Sequence, residues 1–324
     1  MQAVVVTQQG GPEVLEVREL PEPQPGPGEV RVAVAACGVN FIDIYQRSGV
    51  YPMSTPFIAG SEGAGEVTVI GPGVTDTAVG DHVAWAMVVG AGYATEIVLP
   101  AERTVPVPQT VDDETAAALM LQGMTAHYLC ESTYPVRAGD NVLLHAGAGG
   151  VGLLLTQLIT AKGGRVLATT STPAKAELAF GAGAAEVIAY TEADVAAEVR
   201  RLTDGEGVAV VYDGVGQATF AASLDSLRPR GMLVLFGASS GAVEPVDPQT
   251  LNQKGSLFLT RPSLPYYIAT REELLWRASA LFDAVAAGRL HVRIGARYSM
   301  AEAGRGHEDL AERRTTGKSL IIPR

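Results

Sequence analysis

The chain has 324 residues with 24 Lys and Arg against 35 Asp and Glu, a formal net charge of −11, so it is too long for one small domain and too acidic for general nucleic-acid or anionic-membrane binding. No apolar stretch reaches the ~20 residues that span a bilayer, and the opening Met1–Thr7 lacks the basic start of a secretory signal, so cytoplasmic residence is expected. Cys37 and Cys130, the only two cysteines, support neither a disulfide framework nor a Cys-based zinc cluster and read as small buried hydrophobes.

The first ~120 residues read as β-rich from their alternation and turn punctuation. Candidate strands are Val4–Val6, Val14–Val17, Glu29–Val34, Gly65–Ile70 and Asp81–Trp85. Pro21–Gly28 is an extended connector, and Asp112–Leu121 is a helix with acids in its first turn, as the helix dipole favours. From about residue 122 strands alternate with helices: Asn141–Leu144, Val166–Thr169, Glu186–Ala189, Val208–Tyr212 and Met232–Phe236 predict a parallel sheet with right-handed crossovers. A long helix, Arg271–Ala287, then precedes the segment Arg297–Met300, a further helix, and a last strand Ser319–Ile322 that returns to the first domain. The reading is α/β, with residues 1–121 and 266–324 forming one domain and 122–265 the other.

The most informative stretch is Asn141–Gly152. A short apolar run ends in Gly147, Gly149 and Gly152 at the spacing G-x-G-x-x-G, and a helical segment, residues 151–161, follows at once. The first glycine makes a tight turn, the second lets backbone approach a pyrophosphate, and the third lets helix pack on strand. The helix start then offers free N–H groups and a positive dipole end. Backbone at Gly149, Gly150 and Val151 is therefore predicted to hold a pyrophosphate. About 20 residues after the first glycine, NAD-binding versions carry an acid for the adenosine ribose. Here residues 169–175 read Thr-Thr-Ser-Thr-Pro-Ala-Lys, without an acid. Hydroxyls and an ammonium accept a 2′-phosphate that a carboxylate would repel, so Ser171 and Lys175 predict NADP(H). The plainer alternative is that Lys175 is a solvated residue in the first turn of a helix capped by Ser171 or Thr172.

With both halves placed, the chain resembles the zinc-independent quinone oxidoreductases of the medium-chain dehydrogenase/reductase superfamily, the group that includes zeta-crystallin. The resemblance rests on Gly10–Leu15, Gly38–Tyr45, Arg47–Pro52, Gly60–Gly65, His145–Gly152, Tyr212–Gly216, Phe236–Gly241, Asn252–Leu257 and Thr260–Leu264. It implies a β-rich GroES-like catalytic domain beside a Rossmann, doubly wound parallel-sheet domain. Zinc-dependent relatives place a Cys where this chain has Asn40 and a Gly-His-Glu where it has Gly60-Ser61-Glu62. An amide, a hydroxyl and one carboxylate do not make a zinc site, so no metal is expected, and the substrate must be electrophilic enough to take hydride directly.

The resemblance further implies that Asn40 and Phe41 touch nicotinamide. Asn40 would donate an amide hydrogen bond near the reacting carbonyl, and Tyr45 and Tyr51 would line the quinone pocket. Asp43 either orients Tyr45 or Asn40 or caps the helix that begins there. Glu62 and His145 are expected to be structural. Tyr190 matches a family position near the 2′-phosphate, Thr125 and Tyr128 match positions near nicotinamide, and Phe236, Ser239 and Ser240 follow the last cofactor strand. Arg261 covers the cofactor or is plain surface charge. Residues 231–259 read as a sheet edge that pairs in a homodimer. The expected activity is NADPH-dependent quinone reduction. Reduction of the C=C bond of enals, enones or enoyl thioesters is the alternative enzyme class. A crystallin-like or RNA-associated NADPH-binding protein with little turnover is the alternative outside enzymes.

Overall fold

The computed structural model describes residues 1–323 and divides them into two compact units, residues 1–124 with 267–324 (described to 323) and residues 125–266. The first unit opens with β1 (Gln2–Val6), β2 (Leu15–Glu19) and the long β3 (Glu29–Val39), then α1 (Phe41–Ser48) and β4 (Phe57–Ile58). There follow β5 (Glu62–Ile70), β6 (His82–Ala86), β7 (Glu96–Pro100), β8 (Val105–Pro106) and α2 (Asp113–Tyr128). The predicted strands are present. The short β4, β7 and β8 gave no sequence signal, because two-residue and proline-ended strands carry no readable alternation. Two predicted elements run further than their local pattern. The strand predicted to end at Val34 continues to Val39, where neighbouring strands pair with Cys37–Val39. The helix predicted to end at Leu121 continues through Gly123 to Tyr128. Burial of Met124, Ala126 and Tyr128 outweighs the weak helix propensity of glycine there.

The second unit contains β9 (Asn141–Leu144), α3 (Gly150–Ala161), β10 (Arg165–Thr170), α4 (Pro173–Gly181), β11 (Glu186–Ala189), α5 (Val195–Leu202) and β12 (Val208–Asp213). It continues with α6 (Phe220–Ser226), β13 (Leu227–Leu235), α7 (Pro248–Gln253) and β14 (Phe258–Thr260). All five pairings are parallel, in the order β11-β10-β9-β12-β13-β14. Counted from β9 that is 3-2-1-4-5-6, the doubly wound order in which ligands bind outside the carboxyl ends of the strands. Leu143, Leu167, Val211 and Leu233 are fully buried in its core, as strands covered on both faces require.

The chain then re-enters the first unit through α8 (Arg271–Ala286), β15 (Ile294–Ser299), α9 (Ala303–Ala311) and β16 (Lys318–Ile322). β16 lies antiparallel to β3 and parallel to β15, so the last strand is an interior member of the seven-stranded sheet β15-β16-β3-β5-β6-β8, in which β7 also pairs with β3. A second sheet, β2-β1-β4, completes this unit. Val4, Val32, Trp85, Tyr93, Ile97 and Ile321 share its core. The α/β architecture expected from the sequence, a β-rich GroES-like part and a parallel-sheet part, is the one observed.

Leu143 sits at 0 % exposure on the central strand β9. Leu143→Ala leaves a cavity that a sheet flanked on both sides cannot collapse into, and about 2–5 kcal/mol of stability should be lost. Denaturant unfolding followed by a probe in the second unit checks this; an unchanged midpoint would contradict the packing described.

Candidate active site

The site in the first unit is built around α1. Asn40 follows β3 in extended conformation (φ −138°) as the N-cap of α1, and the helix closes on Gly49 at φ 83°, a left-handed position suited to glycine. Asp43 Oδ2 accepts from the Asn40 backbone N–H at 2.8 Å. Asp43 thus caps the helix, one of the two roles open to it in the sequence. Its carboxylate also accepts from the Tyr93 hydroxyl at 3.1 Å and the Ser61 hydroxyl at 3.4 Å. Burial, reinforced by nearby Glu62, pushes the Asp43 carboxyl up to about 7 against the lowering effect of its hydrogen bonds.

The bonds continue inward. Tyr93 Oη lies 3.0 Å from His307 Nε2, and Arg47 Nη1 lies 3.4 Å from His307 Nδ1. An arginine can only donate, so His307 Nδ1 accepts, Nε2–H donates to the tyrosine oxygen, and the tyrosine proton points to Asp43. One direction of donation therefore runs Arg47→His307→Tyr93→Asp43 through fully or nearly fully buried side chains. Burial, helped by the Arg47 charge, holds the His307 imidazole down at about 3, and burial raises the Tyr93 phenol well above its usual range.

A second buried cluster meets the first at Asn40. Lys318 Nζ donates to Asn40 Oδ1 at 2.8 Å and forms a close ion pair with Glu62 Oε1. Asn40 Nδ2 donates to that same Glu62 oxygen at 2.6 Å, the Leu121 backbone N–H donates to Glu62 Oε2 at 2.6 Å, and Gln122 Nε2 lies 3.3 Å from Asn40 Oδ1. A side chain at Gly38 would collide with the Glu62 carboxylate and Lys318 Cε, so glycine there makes the room the ion pair occupies. Removing one partner of such a pair typically costs about 3–5 kcal/mol, because the other charge is left buried alone. Gln122 Oε1 is buried without a hydrogen-bond partner.

The aromatic side chains expected at the site lie together. Tyr45 and Tyr51 have ring centroids 5.2 Å apart at 59°, and Phe41 is 6.1 Å from Tyr45. Tyr51 is 41 % exposed, available to a flat ligand.

In the second unit, α3 begins at Gly150 with Gly149 as its N-cap, a residue without a side chain to cap the first-turn N–H groups. Those groups are the donors that a pyrophosphate meets at a helix start. A Cβ at Gly152 would strike the Ala146 and Gly147 carbonyl oxygens. Beneath this loop His145 bonds Thr169 Oγ1 at 3.1 Å and Ser223 Oγ at 3.0 Å, and Ser223 donates to Asp213 at 2.7 Å. His145 is accordingly a satisfied core residue, as the sequence suggested.

Ser171 and Lys175 follow β10, and Tyr190 follows the adjacent β11; the Tyr190 N–H donates to Thr170 O at 3.2 Å, which brings the three to the carboxyl ends of neighbouring strands. Thr172 rather than Ser171 caps α4, accepting from the Lys175 N–H at 3.3 Å. Thr125 and Tyr128 are buried on α2. Phe236, Ser239 and Ser240 form the loop after β13. The Ser240 hydroxyl is committed to that loop, donating to Val215 O at 2.8 Å and accepting from the Ala218 N–H at 3.0 Å. Arg261 is exposed beyond β14. Sequence reasoning missed Tyr93, Gln122, His307 and Lys318. Each reaches the site from a remote segment, and the only local hint was a lysine opening a largely apolar strand, Lys318–Ile322.

Two family profiles match the chain, one described as an alcohol dehydrogenase GroES-like domain over residues 26–109 and one as a zinc-binding dehydrogenase over residues 150–269. A quinone oxidoreductase of Pseudomonas aeruginosa is 48 % identical over 97 % of both chains, and a 2-haloacrylate reductase of a Burkholderia species is 40 % identical over 99 % of this chain and 98 % of that one. Among solved structures, Escherichia coli quinone oxidoreductase complexed with NADPH superposes with a TM-score of 0.97 at 42 % identity over the whole of both chains. A mycobacterial protein complexed with NADPH does so with a TM-score of 0.96 at 52 % identity, also over both whole chains.

The second profile's name raises the question of zinc, and the donors do not fit it. Asn40 offers an amide and Ser61 a hydroxyl, neither a usual zinc ligand, while both Glu62 oxygens already accept from an ammonium, an amide and a backbone N–H. Among the described residues no three His, Cys, Asp or Glu side chains gather as a metal site, and no helix is long and apolar enough to cross a membrane.

The folded state keeps His307 neutral down to about pH 3, whereas an unfolded histidine takes up a proton near pH 6.5. Unfolding therefore binds a proton between those values, and the contribution of this residue to stability is present above pH 6.5 and lost as pH falls toward 3. Thermal unfolding from pH 7.5 to 4.5 should show a shallower acid loss of Tm in His307→Gln than in the native chain. Parallel curves would contradict the assignment.

Proposed function

Since the chain belongs to the quinone oxidoreductase family of the medium-chain dehydrogenases/reductases, we propose that it reduces quinones with NADPH and without a metal. NADPH, when bound, supplies the hydride; one NADPH and one proton are consumed for each quinone converted to hydroquinone. The backbone at Gly149, Gly150 and Val151 holds the pyrophosphate, and Ser171, Lys175 and Tyr190 hold the 2′-phosphate. Thr125, Tyr128, Phe236, Ser239 and Arg261 contact the remainder of the nucleotide, with Ser240 bracing the loop that carries Ser239. In the first unit, residues 1–124 with 267–324, Asn40 and Phe41 border the reacting ring, and Asn40 directs an amide N–H at the acceptor carbonyl. Tyr45 and Tyr51 stack on the quinone, and a phenol or water returns the second-step proton. Asp43 acts through the helix start it caps.

The observation that carries the NADPH reading is the group Ser171, Lys175 and Tyr190 at the ends of β10 and β11, with no acid in residues 169–175 after β10 to bind a free ribose. The likeness to a 2-haloacrylate reductase favours, as a second reading, reduction of an activated C=C bond with the same cofactor geometry. The proposal includes cytoplasmic residence and a homodimer joined along β14, an edge strand whose Phe258 is 56 % exposed.

Purified protein assayed with NADPH against 1,4-benzoquinone, a naphthoquinone and a 2-alkenal tests the reading; a much higher kcat/KM for the alkenal would replace quinone reduction with the second reading. In Lys175→Glu, loss of a charge-assisted bond worth about 1.5–3 kcal/mol should lower kcat/KM for NADPH about 10- to 100-fold. The value for NADH should change far less. An equal effect on both coenzymes would remove Lys175 from the phosphate site.

A further inference from the structure

The Lys318–Glu62 pair joins the last strand of the chain to the site, and no role for Lys318 follows from the function just proposed. Lys318 is 1 % exposed, Glu62 0 % and Asn40 4 %. A lysine has donors only, and here two of its targets are the Glu62 carboxylate and the Asn40 amide oxygen. An asparagine amide has two orientations differing by exchange of oxygen and nitrogen. With an ammonium on one side and a carboxylate on the other, only one satisfies both: Oδ1 toward Lys318, Nδ2 toward Glu62. The reversed amide would set NH₂ against NH₃⁺ and oxygen against carboxylate.

We propose that Lys318 is a positioning residue for hydride acceptance: it locks the Asn40 amide in one orientation and polarises it. Asn40 Nδ2 has two hydrogens, one spent on Glu62 at 2.6 Å; its other approach, to Gly38 O at 3.5 Å, is at the limit of a hydrogen bond. The second hydrogen is therefore available to a ligand. An ammonium donating to the oxygen of an amide draws electron density from its nitrogen and strengthens the remaining N–H as a donor. Such a donor gains most when the carbonyl it faces becomes an oxyanion, as happens when hydride is delivered. Gln122 extends the cluster on the same side, since its Nε2 reaches Asn40 Oδ1 while its buried Oε1 has no partner in the protein, leaving one acceptor for an N–H or O–H of a bound molecule. The constraint on Gly38 points the same way, because the sheet keeps its backbone bare where the ion pair lies.

The inference rests on the proposed reduction, and its test separates the two. Native enzyme, K318M and the charge-neutral double variant E62Q/K318M are compared with NADPH and 1,4-benzoquinone, or with a 2-alkenal if that is what the native chain reduces. Tm is recorded for each. The double variant removes both buried charges together, so it should regain most of the Tm lost in K318M and serves as the kinetic sample if K318M does not fold. Both variants should show kcat at least tenfold below native, with KM for NADPH within about threefold. A kcat within threefold of native in either folded variant overturns the proposal. So does recovery of kcat in parallel with Tm in the double variant, which would make the pair merely structural. A native chain that turns over neither acceptor counts against the reduction itself.

Discussion

A carboxylate withdrawn from water must be given every partner it can accept, and Glu62 is the place where that requirement organises the first unit. From the start of β5, its two oxygens collect donors from three other segments: the residue after β3 through Asn40, the middle of α2 through Leu121, and β16 through Lys318. The consequences spread outward. β16 must return across almost the whole length of the chain to seat its lysine, β3 must run on to Val39 to pair with it, and Gly38 must carry no side chain. The same requirement explains why Asn40, Ser61 and Glu62 do not offer a cation site: the positive charge in this pocket is already a lysine.

The second polar chain anchors the same helix from its other side. Arg47, His307, Tyr93 and Asp43 pass hydrogen bonds in one direction, so a neutral imidazole and a protonated phenol are held with no proton left over. Asp43 ends that chain and caps α1, while Asn40, one turn back, ends the other. A helix tied at its first turn by two buried networks presents Tyr45 on a rigid base, with Tyr51 bonded back to its backbone at 3.0 Å. Sites held on such elements are more finely positioned than sites on loops.

In the second unit the polar groups divide by depth. His145, Ser223 and Asp213 have the composition of a catalytic triad, yet their bonds all point inward beneath the glycine loop and support it. Ser240 likewise spends its hydroxyl on the backbone of the neighbouring turn. Ser171, Lys175 and Tyr190 lie at the strand ends, where a doubly wound sheet exposes its crossover loops.

What the amino-acid sequence determined by itself is whatever depends on neighbours along the chain. The glycine spacing after β9, the missing acid after β10, the alternation that marks the parallel strands, and the run from Asn40 to Tyr51 are all local, and local periodicity and turn chemistry carry them. Where β3 and α2 end was decided by pairing and burial, and those elements were misjudged for that reason. The choice between capping and orientation for Asp43 was also open in the sequence, because it turns on which backbone N–H lies within reach. Lys318, His307, Tyr93 and Gln122 were beyond reading for a stronger reason. Each is an ordinary residue in its own segment, and only the folded sheet brings a lysine from the last strand onto a carboxylate more than two hundred positions earlier, where the absence of water turns their attraction into a constraint on everything nearby.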